Sequence, residues 1–318
     1  MTSELVTLDE IRAAAARIRP LARRTPLLEI PLGREPAPSL FLKCENLQAG
    51  GAFKIRGACN MLALLSADAR EAGVITYSSG NHACAVALAA RRFASRAVVV
   101  MPETAPRAKV EGARVAGAEV IFAGTTLPER KARAEAEAAA RRLTMVPPFD
   151  HPWIVAGAGT VGLEILEECP QASAIYVPIG GGGLASGTAA AVKQMRTGVR
   201  TVGVEPAGAA RMSASLAAGE PVTLAKTASI ADGLLAMRPG DVTFAHVRAF
   251  ADDVVTIDDD SIAAAVKWVF HEARLVTEPS GAASVAAALQ AARSRVRGVV
   301  AVISGGNVDA EAFGRYIS

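Results

Sequence analysis

An apolar strand leads directly into four glycines in the segment AIYVPIGGGGL, residues 174–184. An alanine-rich helical pattern follows from Leu184. Four consecutive residues without side chains present backbone N–H groups at the start of a helix, where an anion is favoured. The segment therefore predicts a strand, a phosphate-binding loop and a helix. A dinucleotide-binding loop is the alternative, but it needs an acidic residue about 20 positions further on, and only Glu205 comes near.

The same alternation of strand and helix runs through the chain. Short β-branched runs, separated mostly by helix-length segments, occupy residues 40–43, 74–77, 97–101, 119–122, 174–178, 200–204, 253–257 and 298–303. Strands joined by helices form right-handed crossovers and parallel sheets, whose ligands bind beyond the carboxyl ends of the strands. We therefore predict an α/β fold with parallel twisted sheets flanked by helices.

Two interruptions of this alternation predict the domain organisation. A chain of 318 residues is long enough for about two domains. The periodicity breaks near Gly50-Gly51 and again at Pro147-Pro148, as expected where a chain crosses between domains. We predict a large domain formed by residues 1–52 and 147–318, and a smaller, mobile α/β domain formed by residues 53–146.

The composition argues against several classes of partner. Lysine and arginine total 34 against 31 acidic residues, without a basic run, so nucleic acid is not an expected partner. No apolar stretch reaches about 18 residues and no signal peptide is recognisable, so we expect no membrane partner. The four cysteines form no CxxC pair, which fits reduced thiols in a cytoplasmic protein. The expected partner is a small molecule.

A lysine stands in an unusual place in the segment GGAFKIRGA, residues 50–58. Lys54 follows two glycines and Phe53, and a helical pattern begins directly after it. Only a neutral amine attacks an aldehyde, so a partly desolvated lysine in a glycine-rich pocket suits a Schiff base with pyridoxal phosphate. The alternative is a solvated lysine at a helix N-terminus.

Two further strand ends carry polar turns. The turn Ser78-Ser79-Gly80-Asn81-His82 precedes a helix, so its hydroxyls and N–H groups predict a site for a substrate carboxylate. Ser304 is the first polar residue after the apolar run 299–303, where its hydroxyl is placed to meet a ring nitrogen. A serine would not hold a pyridine nitrogen protonated, which favours elimination chemistry. The alternative for both is an ordinary polar turn.

These motifs occur in order with three others, Glu45-Asn46-Leu47-Gln48, Ile230-Ala231-Asp232-Gly233 and Glu278-Pro279. Together they resemble the serine/threonine dehydratase and serine racemase family over nearly the whole chain. That family consists of two-domain, fold-type II pyridoxal-phosphate enzymes with a tryptophan synthase β-like fold. The resemblance implies that pyridoxal 5′-phosphate is the cofactor and Lys54 its Schiff-base lysine. It also implies these cofactor contacts: Phe53 at the ring, Asn81 at the 3-oxygen, Gly180, Gly181, Gly182 and Gly183 at the phosphate, Ser304 at the ring nitrogen, and Gly233 and Glu278 beside them.

The resemblance implies an activity as well. It implies an ammonia-lyase that dehydrates and deaminates a β-hydroxy amino acid such as serine or threonine, giving a 2-oxo acid and ammonia. Dehydratases of the family mostly have Ser-Ala where this chain has Ser78-Ser79, the form similar to serine racemases. Ser79 is thus a candidate second acid/base, and an amino-acid racemase is the alternative. A non-catalytic amino-acid-binding member of the fold is a remoter alternative, and a homodimer is the family expectation.

Substrate-binding positions follow from the same resemblance. They are Ser78, Ser79, Asn81 and His82 in the polar turn, with Arg130 further along the chain. Arg130 falls where racemases carry an arginine near the substrate carboxylate. A helix-surface arginine is its alternative.

One motif departs from the family in a way that bears on metal binding. The family's cation site resembles Glu205-Pro206 followed by the carbonyl of Ala209, but Arg211 stands where an aspartate would. An arginine cannot ligate a cation. We therefore expect no metal, and we expect the Arg211 guanidinium to pair with Glu205 in its place.

Overall fold

The computed structural model describes residues 5–33, 38–78, 80–105, 107–293 and 296–318. Within these ranges the strands are β1 (Leu27–Pro31), β2 (Ser39–Cys44), β3 (Val74–Thr76), β4 (Ala97–Met101), β5 (Ala118–Phe122), β6 (Thr144–Met145), β7 (Ala174–Pro178), β8 (Arg200–Pro206), β9 (Asp253–Ile257) and β10 (Val299–Ile303). The helices are α1 (Leu8–Ile18), α2 (Lys54–Leu64), α3 (Ala67–Ala72), α4 (Asn81–Arg92), α5 (Arg107–Val115), α6 (Leu127–Arg141), α7 (Pro152–Glu168), α8 (Gly183–Met195), α9 (Arg211–Ala218), α10 (Asp241–Phe250), α11 (Asp259–Ala273), α12 (Pro279–Arg293) and α13 (Ala310–Ile317).

The strands form two sheets. A six-stranded sheet has the order β1-β2-β10-β7-β8-β9, and a four-stranded sheet has the order β5-β4-β3-β6. Each neighbouring pair is parallel, except that β1 runs antiparallel to β2. The predicted α/β fold with parallel sheets flanked by helices is therefore confirmed.

All eight predicted strands are present, with ends that differ by at most two residues. The sequence interpretation missed β1 and β6. Strand β1 lies at a sheet edge and contains Pro31, which lacks a backbone donor and is tolerated at edges. Strand β6 has only two residues, too few to show a period.

Both faces of the six-stranded sheet are covered by helices. In β2, Leu40 and Leu42 pack in one apolar cluster with α11 and α12. Phe41, between them, packs in another cluster with α7 and α8. Alternate residues of a strand point to opposite faces, so a strand that is apolar throughout contributes to two cores.

The four-stranded sheet follows the same rule. Val74 and Val99 pack in one cluster with α2 and α4. Ile75 and Val98 pack on the opposite face with Ala134 of α6.

In the described part of the chain, no helix is long and apolar enough to span a membrane.

Candidate active site

The loops that follow β3, β7 and β10 open on one cavity of about 980 Å³. The carboxyl ends of parallel strands are where α/β folds bind ligands. Among the predicted site residues that the structure describes, those lining the cavity are Phe53, Lys54, Ser78, Asn81, His82, Gly180, Gly181, Gly182, Gly183, Gly233, Glu278 and Ser304. Motifs that lie up to about 250 residues apart in sequence thus share one cavity. Ser79, the candidate second acid/base, lies outside the described residues.

Lys54 is the first residue of α2, and its amine lies in the cavity. The Nζ atom donates a hydrogen bond to the carbonyl oxygen of Pro148 at 2.6 Å and lies 5.1 Å from the centre of the Phe53 ring. Burial lowers the pKa of Lys54 to about 8, and the nearby Glu278 carboxylate opposes that change. The lower pKa increases the neutral fraction at pH 7 about 300-fold, which makes the amine a nucleophile.

A cluster of buried ions fixes the helix that carries Lys54. We call it the buried ion cluster, and its members are Lys43, Glu45, Arg56 and Glu164. Arg56 lies two residues after Lys54 and is fully buried. Its guanidinium binds both oxygens of Glu45 at 2.7 Å and both oxygens of Glu164 at 2.7 and 2.8 Å. Although burial opposes it, the two carboxylates raise the pKa of Arg56. The cluster ties the start of α2 to β2 and α7.

The backbone also holds Lys54 beside the loop after β10. Phe53 donates its N–H to the carbonyl of Ser304 at 3.0 Å, and Gly306 donates to the carbonyl of Gly51 at 2.9 Å. Ala52 and Gly305 form an isolated antiparallel bridge. These contacts fix Lys54 relative to the predicted ring-nitrogen partner.

The glycine loop fits a phosphate group. The N–H groups of Gly180, Gly181 and Gly182 donate to no protein acceptor in the described part of the chain, and all three residues line the cavity. A Cβ at Gly181 would lie 2.2 Å from the Phe149 ring. Gly182 has a φ of +106°, which favours glycine. Close packing and three unpaired donors are what a backbone cradle for an anion requires.

The turn after β3 leads into α4, which begins at Asn81. Ser78 lines the cavity, and its Oγ accepts the N–H of Gly80 at 3.4 Å. His82 is buried, and its Nε2 lies 3.0 Å from the carbonyl oxygen of Val146. Burial, with a contribution from the charge of Lys54, lowers the pKa of His82 to about 3. His82 is therefore a neutral ring that donates through Nε2, and the anion-binding capacity of the turn rests on hydroxyl and N–H donors.

Asn81 links the turn to the opposite side of the cavity. Its Nδ2 donates to Glu278 Oε1 at 2.7 Å, and its Oδ1 accepts from Asn307 Nδ2 at 2.9 Å. Burial raises the pKa of Glu278 to about 7, with a further contribution from Asp232. The sequence interpretation missed Asn307, which lies three residues after Ser304 in the loop that follows β10. Asn307 also donates to the carbonyl of Gly50 at 2.7 Å, so it bridges two loops.

Ser280 forms hydrogen bonds with both Ser304 and Gly233. Ser304 Oγ donates to the carbonyl of Ser280 at 3.5 Å, and Gly233 donates its N–H to Ser280 Oγ at 2.9 Å. A Cβ at Gly180 would lie 3.1 Å from the carbonyl oxygen of Gly233. The loop containing Gly233 therefore packs directly against the glycine loop.

The structure does not bring Arg130 to the cavity. It lies on α6 and is absent from the cavity lining. Its Nη1 lies 3.4 Å from the carbonyl of Thr125. Instead, Lys109 and Asp232 line the cavity and form an ion pair at 3.2 Å. Asp232 belongs to a quoted motif, whereas nothing in the sequence around Lys109 signals a site.

Comparisons with known proteins give the family of the chain. Residues 18–305 match the family described as pyridoxal-phosphate dependent enzymes. The L-threonine ammonia-lyase of Thermotoga maritima is 38% identical over 315 residues, which is 99% of this chain and 79% of that protein. The serine racemase of Oryza sativa subsp. indica is 40% identical over 309 residues, or 95% of this chain and 91% of that protein.

A solved structure has the same fold. Maize serine racemase superposes with a TM-score of 0.92 at 38% identity, covering 98% of this chain and 97% of that one. The relatives include both lyases and racemases at similar identity. The chain therefore belongs to the pyridoxal-phosphate-dependent enzymes of fold-type II and uses pyridoxal phosphate as its cofactor.

Proposed function

We propose that the chain is an ammonia-lyase that converts a β-hydroxy amino acid, such as serine or threonine, into a 2-oxo acid and ammonia. The observation that carries the proposal is the Lys54 amine. Its pKa is lowered to about 8, and it shares a cavity with an anion-binding glycine loop and a helix N-terminus. The similarity to a threonine ammonia-lyase supports this reading.

The chain's residues would hold the cofactor at four points. The N–H groups of the loop Gly180–Gly183 would bind the phosphate, and Lys54 would bind the aldehyde carbon. Asn81 would face the 3-oxygen, and Ser304 would face the ring nitrogen. When bound, pyridoxal phosphate withdraws electrons from the amino acid and so weakens its α-C–H bond.

The turn after β3 would bind the substrate carboxylate. Ser78 offers a hydroxyl, and α4 directs its first N–H groups and the positive end of its dipole towards that side of the cavity. Neutral His82 completes the wall without adding charge. The smaller domain, residues 53–146, carries this turn, and we propose that it moves towards the larger domain when substrate binds.

Lys54 would perform both proton transfers of the elimination. Its neutral amine accepts the α-proton, and the resulting ammonium donates a proton to the departing β-hydroxyl, which leaves as water. The C–O bond breaks as the Cα–Cβ double bond forms. The released enamine tautomerises to an imine, which water hydrolyses to the 2-oxo acid and ammonia. The Ser304 hydroxyl would leave the ring nitrogen unprotonated, which would favour rapid elimination.

A racemase is the second candidate function. Serine racemases are as similar to this chain as the lyases are, and the sequence Ser78-Ser79 has the racemase form. Racemisation needs a proton donor on the face opposite Lys54, and the hydroxyl of Ser79 is the proposed donor. The two activities can share Lys54.

One experiment separates the two functions. The holoenzyme is incubated with L-serine or L-threonine, and 2-oxo acid and D-enantiomer are measured in the same sample. We expect 2-oxo acid to form faster than D-enantiomer. Ser79→Ala is expected to lose D-enantiomer formation while 2-oxo acid continues. Lys54→Ala is expected to lose both, and Lys131→Ala, a surface change on α6, neither.

The opposite results are equally clear. Faster formation of D-enantiomer than of 2-oxo acid would make the enzyme a racemase. Formation of neither product across a panel of D- and L-β-hydroxy amino acids would favour a non-catalytic binding protein.

A further inference from the structure

We propose that Arg211 is a positioning residue that holds the glycine loop in the shape that binds the cofactor phosphate. Arg211 is the first residue of α9 and is fully buried. Its Nε donates to the carbonyl of Gly180 at 2.8 Å, and its Nη2 donates to the carbonyl of Ile179 at 2.5 Å. Its Nη1 donates to the carbonyl of Ala209. The guanidinium thus forms hydrogen bonds with two consecutive carbonyls at the start of the glycine loop.

The hydrogen bonds from Arg211 to these two carbonyls also set the direction of the N–H groups in the same peptides. In a planar trans peptide the N–H points away from the C=O. The carbonyls of Ile179 and Gly180 face Arg211, so the N–H groups of Gly180 and Gly181 point to the opposite side. Those two residues line the cavity, and their N–H groups have no acceptor among the described residues. Arg211 therefore aims these donors into the cavity.

Thr243 acts in the same way on the next peptide. Its Oγ1 donates to the carbonyl of Gly181 at 2.6 Å, which turns the N–H of Gly182 away from Thr243. Thr243 is also fully buried. Three consecutive carbonyls of the loop are thus held by side chains, and three consecutive N–H groups are left for a ligand. Without these side chains, glycines would lose that order, because their backbones are the most flexible.

An arginine suits this position better than a neutral side chain. Its planar fork presents donors in fixed directions and remains charged. Glu205 lies 3.8 Å from Nη1, which is the expected pairing. However, the Glu205 carboxylate accepts hydrogen bonds from the N–H groups of Met212 and Ser213 at 2.8 and 2.9 Å. Arg211 therefore directs its hydrogen bonds to backbone carbonyls, while the Glu205 carboxylate offsets part of the positive charge of Arg211.

This inference rests on the proposed placement of the cofactor phosphate, and the test is built to separate the two. Apoenzyme is titrated with pyridoxal 5′-phosphate and, separately, with pyridoxal, which has no phosphate. Wild-type protein is expected to bind the phosphorylated form more tightly. Arg211→Met is expected to weaken binding of pyridoxal 5′-phosphate by at least about tenfold, the effect of losing hydrogen bonds to a charged group. The affinity of Arg211→Met for pyridoxal is expected to stay within about twofold of wild type, because pyridoxal has no phosphate for the glycine loop to bind.

Two further variants complete the experiment. Arg248→Met removes an exposed arginine from α10 and is expected to leave both affinities unchanged. Thr243→Val removes the hydroxyl that holds Gly181 and is expected to give a smaller loss, again selective for the phosphate. It decides the question if Arg211→Met does not fold.

Each contrary outcome has its own meaning. Equal losses for both ligands, or no loss for either, in Arg211→Met and Thr243→Val would overturn the role of Arg211. Equal binding of both ligands by the wild type would overturn the phosphate placement, and with it the role of Arg211. Neither outcome touches the choice between lyase and racemase.

Discussion

Arg56 and Arg211 are both fully buried, yet the protein accommodates their charges in different ways. Arg56 lies between two carboxylates and binds each through two hydrogen bonds. Arg211 binds three backbone carbonyls, and its nearest carboxylate is 3.8 Å away. Burial lowers the pKa of Arg211, with Glu205 opposing, whereas the carboxylates raise the pKa of Arg56 despite burial. The first arginine joins structural elements, and the second shapes a binding loop.

Two lysines repeat the contrast. Lys43 is fully buried in the buried ion cluster, 2.7 Å from Glu164, and donates to the carbonyl of Thr25. Lys54 donates to the carbonyl of Pro148 at 2.6 Å and has no hydrogen-bonded carboxylate among the described residues. Lys54 lines the cavity and binds a carbonyl oxygen, so its amine remains available to the cofactor aldehyde.

The largest effect is expected from replacing Arg56, and it is an effect on the stability of the fold. Arg56→Met would leave the fully buried Glu45 without its hydrogen-bonded cation and would leave Glu164 with Lys43 alone, so we expect the free energy of unfolding to fall by about 3–5 kcal/mol. Urea unfolding of the apoenzyme measures this. Arg315→Met, at an exposed pair on α13, is the control and should change stability by less than about 0.5 kcal/mol. A loss of similar size in both variants would contradict a structural role for the buried ion cluster.

The two carboxylates extend the contrast to pH. Arg56 lowers the pKa of Glu45 although burial opposes it, while burial raises the pKa of Glu278 to about 7. Between pH 4.5 and 7 the unfolded chain loses the Glu278 proton and the folded chain keeps it, so this group's contribution to stability falls as pH rises. We expect apoenzyme stability of Glu278→Gln, relative to wild type, to rise by about 3 kcal/mol over that interval. A difference that does not vary with pH would refute the raised pKa.

The amine of Lys54 gives a smaller but direct comparison. Its neutral fraction grows as pH rises through about 8, so acylation of Lys54 in the apoenzyme should show a midpoint near that pH. Lys43, fully buried among carboxylates, should remain unmodified. Mass spectrometry of the labelled peptides measures both. A midpoint above pH 10 for Lys54 would mean that burial does not lower its pKa.

The smallest effect is expected from divalent cations. Since the guanidinium of Arg211 lies beside Glu205, we expect Mg²⁺ or a chelator to change activity by less than about twofold, because a cationic donor cannot ligate a metal ion. Assays with added Mg²⁺ and with chelator test this. Strong activation by Mg²⁺ would show that a cation binds despite Arg211.

Much of the fold and the cavity could be predicted because local signals carry them. Apolar runs marked eight strands, and glycine or serine turns marked the three strand ends that meet at the cavity. Strand β1 was missed because its pairing with β2 is a tertiary contact. The ion pair of Lys109 with Asp232 was missed because these two residues meet only across the folded cavity. The bonds from Arg211 to Ile179 and Gly180 were also beyond the sequence, because backbone carbonyls leave no residue pattern. Arg130 follows from the family resemblance alone, and in the fold it lies on α6, outside the cavity lining.

Reductive trapping of the cofactor tests the assignment of Lys54 most directly. The holoenzyme is reduced with borohydride and digested, and the lysine that carries the pyridoxyl group is identified by mass spectrometry. We predict that this lysine is Lys54. A pyridoxyl group on Lys109, which also lines the cavity, or on no lysine at all would contradict the assignment.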